Sequence, residues 1–173
     1  MAKIDPITIE KTTPEIKKVL DKLHEYYGNV PLTYRVIVRR PQIASSLLQL
    51  KKTVMDSGRL DRKLKEMICF VVSSVNKCGS CADSHIENLK KIGTSEVEIN
   101  SLMDLDFTRL DEETAAALEF AHKSASETPE ISAEMFKKLK EMYNDTEIVE
   151  LLSAIGLSKL FNTLNTLLEL PSY

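Results

Sequence analysis

Apolar residues recur every three or four positions along most of the chain, which is the spacing that places them on one face of an α-helix. The first such stretch carries Ile16, Val19, Leu20 and Leu23. Proline and glycine punctuate the pattern, since Pro14 suits the first turn of a helix and Gly28 suits its end. Pro41 and Gly58 bracket the next stretch in the same way. The sequence therefore predicts a chain built mainly of helices.

The predicted fold class is all-α, a single-domain multi-helix bundle spanning residues 1–173. A capping-box spacing at Ser95 and Glu98 marks the start of a short helix. Two runs rich in β-branched residues, 34–38 and 67–75, resemble strands. The second lies inside a pattern too long for a strand, so we predict a buried helix there and leave the first run open. The other helices are predicted over residues 14–27, 41–58, 61–76, 80–92, 111–125, 132–143 and 145–170.

The apolar face of the last predicted helix changes direction at Gly156. Before this residue one side carries Ile148, Leu151, Leu152 and Ile155. After it, nearly the opposite side carries Leu157, Leu160, Phe161, Leu164 and Leu168. Either the helix breaks at Gly156, or its halves pack against different surfaces. The second surface could belong to another subunit or to the same core, and the sequence leaves both open.

Composition and charge exclude several classes of protein. The chain has 173 residues, of which 43% are hydrophobic and 28% charged, and this balance excludes a disordered chain. Its net charge of −3 provides no basic field that would attract nucleic acid or an anionic membrane. No apolar run approaches the roughly 20 residues of a membrane-spanning helix. The first ten residues lack the apolar core of an export signal. We therefore expect a cytoplasmic protein that binds neither nucleic acid nor membrane.

The candidate chemistry lies in residues 78–85, where Cys78 and Cys81 form a Cys-x-x-Cys pair and His85 follows one helical turn later. On a helix beginning near residue 80, Cys81 and His85 share the core-facing side with Ala82, Ile86, Leu89 and Ile92. The two sulfurs can reach each other across one turn. Free backbone N–H groups at the helix start stabilise a thiolate, and His85 can accept the Cys81 proton. The pattern indicates thiol redox chemistry.

Glu66 is a further candidate with two interpretations. It lies on the preceding helix, whose other residues include Leu64, Met67, Ile68, Val71, Val72 and Val75. A carboxylate on such an apolar helix could have a raised pKa and pass protons. Glu66 also belongs to a charged group with Arg62, Lys63 and Lys65, and in that case it faces solvent. The sequence leaves both interpretations open.

Other assignments for these residues also remain. The same cysteine pair and histidine could bind zinc with Glu66 or Cys69 as the fourth ligand, although structural zinc sites usually draw on two separated ligand pairs. Otherwise Cys69 is most simply a small buried residue. Three tyrosines could line a pocket or a subunit contact, or they could pack in the core: Tyr26, Tyr27 and Tyr34.

The spacing of the candidate residues resembles a family signature. Glu66, eleven intervening residues, Cys78, two residues, Cys81, three residues and His85 is similar to the pattern of alkylhydroperoxidase D-like proteins. These proteins belong to the carboxymuconolactone decarboxylase superfamily. The resemblance is clearest over about residues 55–125, where we expect the redox core.

The resemblance implies an all-α peroxidase that needs no cofactor. Cys81 would attack the peroxide, Cys78 would resolve the sulfenic acid into a disulfide, and His85 and Glu66 would relay protons through water. An external thioredoxin-like or lipoyl-bearing protein would supply electrons, and the enzyme would form a trimer or hexamer. One departure is Ser80, because the best-studied branch of the family has a histidine there. A hydroxyl can donate a hydrogen bond but is not a base near neutral pH.

The expected function is reduction of hydrogen peroxide or organic hydroperoxides by the cysteine pair. Two alternatives remain open. One is a carboxymuconolactone decarboxylase-like enzyme, although this activity occurs in the superfamily without redox cysteines. The other is a non-catalytic zinc-binding or interaction protein.

Overall fold

The structure is a computed structural model that describes residues 2–8, 12–126, 128–129 and 131–170. Within these ranges the protein contains helices and no β-strand, so the predicted all-α fold is confirmed. A short 3₁₀ helix, Phe107–Arg109, separates α6 from α7. The α-helices are α1 (Pro14–Tyr27), α2 (Leu32–Ile37), α3 (Pro41–Asp56), α4 (Arg62–Val75), α5 (Gly79–Lys91), α6 (Glu96–Asp104), α7 (Glu112–Ala125), α8 (Ala133–Met142) and α9 (Asp145–Leu168). None of the helices in these ranges has the length and apolar character needed to cross a membrane.

Local signals in the sequence predict most helix ends within one or two residues. The Thr13 side chain accepts a hydrogen bond from the backbone of α1, and Gly28 ends that helix with a φ of 72°. Ser95 and Glu98 form the predicted capping box of α6. Residues 34–38, the first of the two runs rich in β-branched residues, are helical and form part of α2 and its C-terminal cap. These ends depend on contacts between near neighbours in the chain, which is why the sequence reveals them.

The helix α9 is continuous through Gly156, so of the two alternatives left open by the sequence the break at this residue is excluded. Its two halves pack differently, because Phe161 contacts both hydrophobic clusters of the protein while the first half contacts only the larger one. Two residues expected on the packed faces, Leu152 and Leu160, are 41% and 37% exposed. Ile92, expected on the core-facing side of α5, follows that helix as its cap and is 47% exposed.

The central helix of the bundle is α4. It is buried continuously from Lys65 to Ser73 and packs against α5, α7 and α9. A helix that is apolar on nearly all sides is stable only inside a protein. This confirms the buried helix predicted over residues 67–75. It also carries Glu66, on the same helix, into the interior.

Glu150 of α9 fixes the turn that leads into α4. Its carboxylate accepts hydrogen bonds from the backbone N–H groups of Arg59 and Leu60 at 2.8–3.0 Å. The same carboxylate pairs at 3.1 Å with the ammonium of Lys65, which is fully buried. Burial of Glu150 opposes its ionisation, but these hydrogen bonds outweigh that effect and lower its pKa. The start of the helix that carries Glu66 is thereby held to α9.

Replacing Glu150 by alanine is expected to lower the free energy of unfolding by about 3 kcal/mol, because the Lys65 ammonium would remain buried without its counter-ion. Urea denaturation measures this loss. The control Glu141→Ala removes an exposed carboxylate that pairs with Lys137 at 4.0 Å, and it should cost less than about 0.5 kcal/mol. Equal losses in the two variants would contradict the role given to Glu150.

Candidate active site

Cys78 and Cys81 are joined in a disulfide at the start of α5. Their Cα atoms lie 5.3 Å apart, which is an ordinary separation for this bond. The turn from α4 brings them there: Lys77 has a φ of 56°, and the Cys78 N–H donates to the Ser73 carbonyl at 2.9 Å. Cys78 is 5% exposed and Cys81 is 7% exposed. The predicted cysteine pair is therefore present in its oxidised form and nearly buried.

Glu66 and His85 are in direct contact although they lie on different helices. The His85 Nδ1 atom is 2.6 Å from the Glu66 Oε2 atom. The Glu66 side chain is 1% exposed and the His85 side chain 15%, so the interpretation of Glu66 as a surface residue is wrong. The Asn88 amide lies 3.4 Å from both oxygens of the same carboxylate. The structure thus brings an acid on α4 into contact with a histidine on α5, the helix that also carries Cys81.

Arg62 extends this network towards α1. Its Nε and Nη2 atoms lie 2.7 and 2.6 Å from the Glu66 Oε1 atom. The guanidinium also pairs with Asp56, which accepts a hydrogen bond from the Tyr26 hydroxyl at 3.0 Å. Burial of Glu66 opposes its ionisation, but hydrogen bonds and charges from His85 and Arg62 outweigh that effect and lower its pKa to about 2. Glu66 is therefore ionised near neutral pH. Its carboxylate accepts a hydrogen bond from the Nδ1–H group of His85, so Nε2 is the ring nitrogen that does not contact Glu66.

The polar contact of the Cys81 sulfur comes from α9. The Nδ2 atom of Asn165 lies 3.2 Å from the Cys81 Sγ atom, and the Oδ1 atom of the same amide accepts a hydrogen bond from Thr33. This second contact orients the amide, so that its N–H points at the sulfur. A hydrogen-bond donor stabilises a thiolate more than a thiol. In this disulfide form, none of the described hydrogen bonds joins His85 to the Cys81 sulfur.

A cavity of about 590 Å³ opens beside this site. It lies between the α1–α3 segment and the helices α5 and α9. Cys81, His85 and Ser80 line it, whereas Cys78 is not among the described residues of its wall. Both the pocket and the core alternatives hold for the three tyrosines, because residues that belong to the smaller hydrophobic cluster or pack against it also line the cavity: Tyr26, Tyr27 and Tyr34.

Three residues that contact the predicted site were missed from the sequence. Arg62 lies four residues before Glu66, and this spacing on a helix was a usable signal. Asn88 lies three residues after His85 on the same helix, which was a similar signal. Asn165 is distant in the chain from the Cys81 sulfur that it contacts, and no local pattern pointed to it.

The described residues contain no group of three or more His, Cys, Asp or Glu side chains that could hold a metal ion. The disulfide occupies both sulfurs that the zinc alternative requires. Cys69 is 2% exposed, and its sulfur lies 3.8 Å from the Ala154 carbonyl oxygen. Burial raises the pKa of its thiol to about 12. Cys69 is thus a small buried residue, as expected.

Comparison with known proteins supports the resemblance seen in the sequence. Residues 41–123 match the Carboxymuconolactone decarboxylase family. This segment runs from the start of α3 into α7 and includes the disulfide, Glu66 and His85. The family match therefore covers the part of the chain in which the sequence resembles this superfamily most clearly.

Two curated relatives match at similar levels of identity. Uncharacterized protein YdfG of Bacillus subtilis (strain 168) is 27% identical over 120 residues, which cover 67% of this chain and 80% of the relative. Uncharacterized protein 4 in cox locus of Paracoccus denitrificans is 27% identical over 89 residues, which cover 51% of this chain and 78% of the relative.

Two solved structures share the fold over the whole chain. The debrominase Bmp8, solved in complex with 2,3,4-tribromopyrrole, has a TM-score of 0.88 and 17% identity, covering 100% of this chain and 92% of its own. An alkylhydroperoxidase AhpD core, an uncharacterized peroxidase-related protein from Ralstonia eutropha JMP134, has a TM-score of 0.81 and 17% identity, and the match covers 100% of this chain and 94% of its own. At these identities the likeness establishes the fold.

The lowered pKa of Glu66 predicts a specific loss of stability in acid. Its pKa falls from 4.5 to about 2 on folding, so its contribution is fully present above pH 4.5 and disappears as the pH falls towards 2. Between about pH 5 and pH 3, the wild-type protein should lose about 2 kcal/mol of unfolding free energy that Glu66→Gln does not lose. Urea denaturation at several pH values measures the difference. Parallel pH profiles for the two proteins would contradict the assignment.

Proposed function

We propose that the protein is a thiol-dependent peroxidase that reduces hydrogen peroxide or organic hydroperoxides through a dithiol–disulfide cycle of Cys78 and Cys81. One observation carries the proposal: Cys81 of the cysteine pair lines a cavity that His85 also lines, and the buried Glu66 carboxylate holds that histidine at 2.6 Å. A thiolate and a proton carrier at one cavity are what peroxide reduction requires. The match of residues 41–123 to the Carboxymuconolactone decarboxylase family, and the resemblance of the spacing to alkylhydroperoxidase D-like proteins, support the same conclusion.

Cys81 is the attacking residue in this proposal, because it lines the cavity and accepts the N–H of Asn165. In the reduced enzyme His85 takes the Cys81 proton through water, and the resulting thiolate attacks the terminal oxygen of the peroxide. The O–O bond breaks, and the leaving oxygen takes the proton back from His85. Water or an alcohol leaves, and Cys81 becomes a sulfenic acid. Glu66 keeps the ring of His85 in the orientation that this transfer needs.

Cys78 resolves the sulfenic acid. Its thiol attacks the Cys81 sulfur, water leaves, and the disulfide forms. Two electrons from an external dithiol, carried by a thioredoxin-like or lipoyl-bearing protein, then restore the two thiols. The Ser80 hydroxyl lies 3.9 Å from the Cys78 sulfur. It can donate a hydrogen bond there but cannot take a proton near neutral pH, so activation of Cys78 depends on the helix start.

We place this cycle in the cytoplasm, in a homo-oligomer that is a trimer or a hexamer. Large apolar side chains exposed on the isolated chain support an assembly, since such surfaces mark contacts between proteins. The most exposed of them lie on α6 and α9: Val97 at 58%, Met103 at 61%, Val149 at 62% and Leu167 at 70%.

The aromatic walls of the cavity favour one second candidate, reductive removal of a halogen from an aromatic ring. Bmp8, which shares this fold, is a debrominase solved with a bromopyrrole. A dithiol can supply two electrons to this reaction: a C–Br bond is replaced by C–H, bromide leaves and the disulfide forms. Bromide release from 2,3,4-tribromopyrrole without any reaction with peroxide would favour this candidate. Lactone decarboxylation, the other enzymatic alternative, leaves the cysteine pair without a role.

One equivalent of hydrogen peroxide added to the reduced protein is expected to remove two of its three thiols. Cys81→Ser should abolish this loss, because the attacking sulfur is gone. Cys78→Ser should lose a single thiol and retain a sulfenic acid that dimedone traps. Thiol titration and intact mass together measure these outcomes.

The matched control is Cys69→Ala, which removes the thiol outside the pair and should still lose two thiols. Peroxide reactivity retained by Cys81→Ser would overturn the assignment of the attacking residue. Loss of reactivity in Cys69→Ala, with the fold intact, would overturn the assignment of the pair.

A further inference from the structure

The cavity beside Cys81 contains polar side chains that the dithiol cycle does not use. They come from four different helices and all lie in its wall: Tyr27, Tyr34, Lys51 and Asn162. Groups of this kind are costly to bury unless something satisfies their hydrogen bonds. Their convergence on one space next to a reactive sulfur calls for a ligand that completes them.

Lys51 is the cation of this group. Its ammonium lies over the rings of Tyr27 and Phe161, at 5.3 and 5.5 Å from their centroids. It makes no hydrogen bond and no ion pair within the described part of the chain. Burial lowers its pKa, and the charge of Glu66 opposes this only in part. The ring faces stabilise the ammonium without supplying a counter-ion.

The nearby carboxylates are engaged elsewhere. Glu66 is held by Arg62 and His85, and Asp56 is held by Arg62 and the Tyr26 hydroxyl. Neither forms an ion pair with Lys51. Glu87 also lines the cavity and forms no ion pair with Lys51, so the ammonium has no counter-ion among the described residues.

Two hydroxyls and one amide are also unsatisfied. The Tyr27 and Tyr34 hydroxyls are buried and reach no partner with full hydrogen-bonding geometry, although the two lie close enough that a weak hydrogen bond between them affects the pKa of each. Asn162 is 2% exposed. One end of its amide contacts the Ser73 hydroxyl at 3.1 Å, and the other end has no partner. An ammonium and two hydroxyls together can donate to the oxygens of one acceptor.

The rest of the wall is apolar and aromatic. The rings of Tyr27, Tyr34 and Phe161 form a connected series, with centroids 5.4 and 5.6 Å apart, and Met55 and Leu157 also line the cavity. Its volume of about 590 Å³ is in the ordinary range for a small-molecule site. Such a wall accommodates a planar apolar body, while the unpaired donors accommodate an anionic group on it.

We propose that this cavity binds small organic acids in which an aromatic or similar apolar body carries one carboxylate, with Lys51 as the counter-ion and Tyr27 and Tyr34 as hydrogen-bond donors. Its consequence for catalysis rests on the proposed function: the preferred substrates of the dithiol are organic hydroperoxides that carry a carboxylate. The carboxylate holds the substrate in the cavity, and its peroxide group reaches Cys81.

Binding tests the site without any turnover. Isothermal titration of 2-naphthoate into the disulfide form should show one binding site per chain, whereas the neutral analogue 2-acetylnaphthalene should bind roughly 10- to 100-fold more weakly because it cannot pair with Lys51. Lys51→Met should weaken naphthoate binding by a similar factor and leave binding of the neutral analogue unchanged. Tyr34→Phe, which removes a single hydroxyl, should weaken it about fivefold.

The matched control is Lys52→Met. Lys52 lies next to Lys51 on α3 and over the Tyr26 ring at 5.1 Å, but it does not line the cavity. Its replacement should leave naphthoate binding unchanged. Equal loss in both lysine variants, or naphthoate binding no tighter than that of the neutral analogue, would overturn the site. Thermal unfolding of each variant checks that the fold is intact, and Tyr34→Phe decides the matter if Lys51→Met does not fold.

Turnover then separates this inference from the proposed function. The specificity constant for 4-carboxycumene hydroperoxide should exceed that for cumene hydroperoxide in the wild-type protein and in the control Lys52→Met, and Lys51→Met should remove this preference. Lys51-dependent binding of naphthoate by a protein that reduces no peroxide would refute the peroxidase and retain the site. Peroxide reduction without a preference for the acid would refute the acid as substrate and retain the peroxidase.

Discussion

The buried carboxylate of Glu66 is the group on which the rest of the site depends. An ionised carboxylate that is 1% exposed persists inside a protein only when its charge is matched and its oxygens are hydrogen-bonded. Arg62 supplies the matching charge, and His85 occupies the other oxygen. The orientation of the imidazole is therefore set by the same contacts that make the buried charge tolerable. A single arrangement thus meets a structural requirement and the requirement of the proposed mechanism.

This arrangement also explains why the site lies where three helices meet. Glu66 lies on α4, His85 and Cys81 lie on α5, and Asn165 lies on α9. Each helix contributes one part of the proposed chemistry: an anchor for the histidine, the sulfur with its proton carrier, and a donor to the sulfur. The Glu150 carboxylate ties α9 to the turn that begins α4. A change in that distant contact would be felt at the site through the placement of α4.

The sequence revealed what depends on neighbours in the chain. Helix ends at Gly28 and at the Ser95 capping box, and the pairing of Cys78 with Cys81, are all local features. Whether Glu66 faces the interior or the solvent is not a local feature. An acid flanked by charged and apolar residues fits either face of a helix until its partner is known. Asn165 and Lys51 could not be assigned for the same reason, since their roles arise from residues far away in the chain. Ile92 was expected to face the core and is exposed instead, because helical spacing predicts a side of the helix but does not say at which residue the helix ends.

The most direct test of the central claim is the tautomer of His85 in the reduced protein, measured by ¹⁵N NMR of the imidazole at a pH where the ring is neutral. The chain has three histidines, so replacing His24 and His122 in turn assigns the signals. The account predicts that the proton resides on Nδ1, against Glu66, and that Glu66→Gln alters this preference. A proton on Nε2 in the wild-type protein, or a His85 spectrum unaffected by Glu66→Gln, would contradict it.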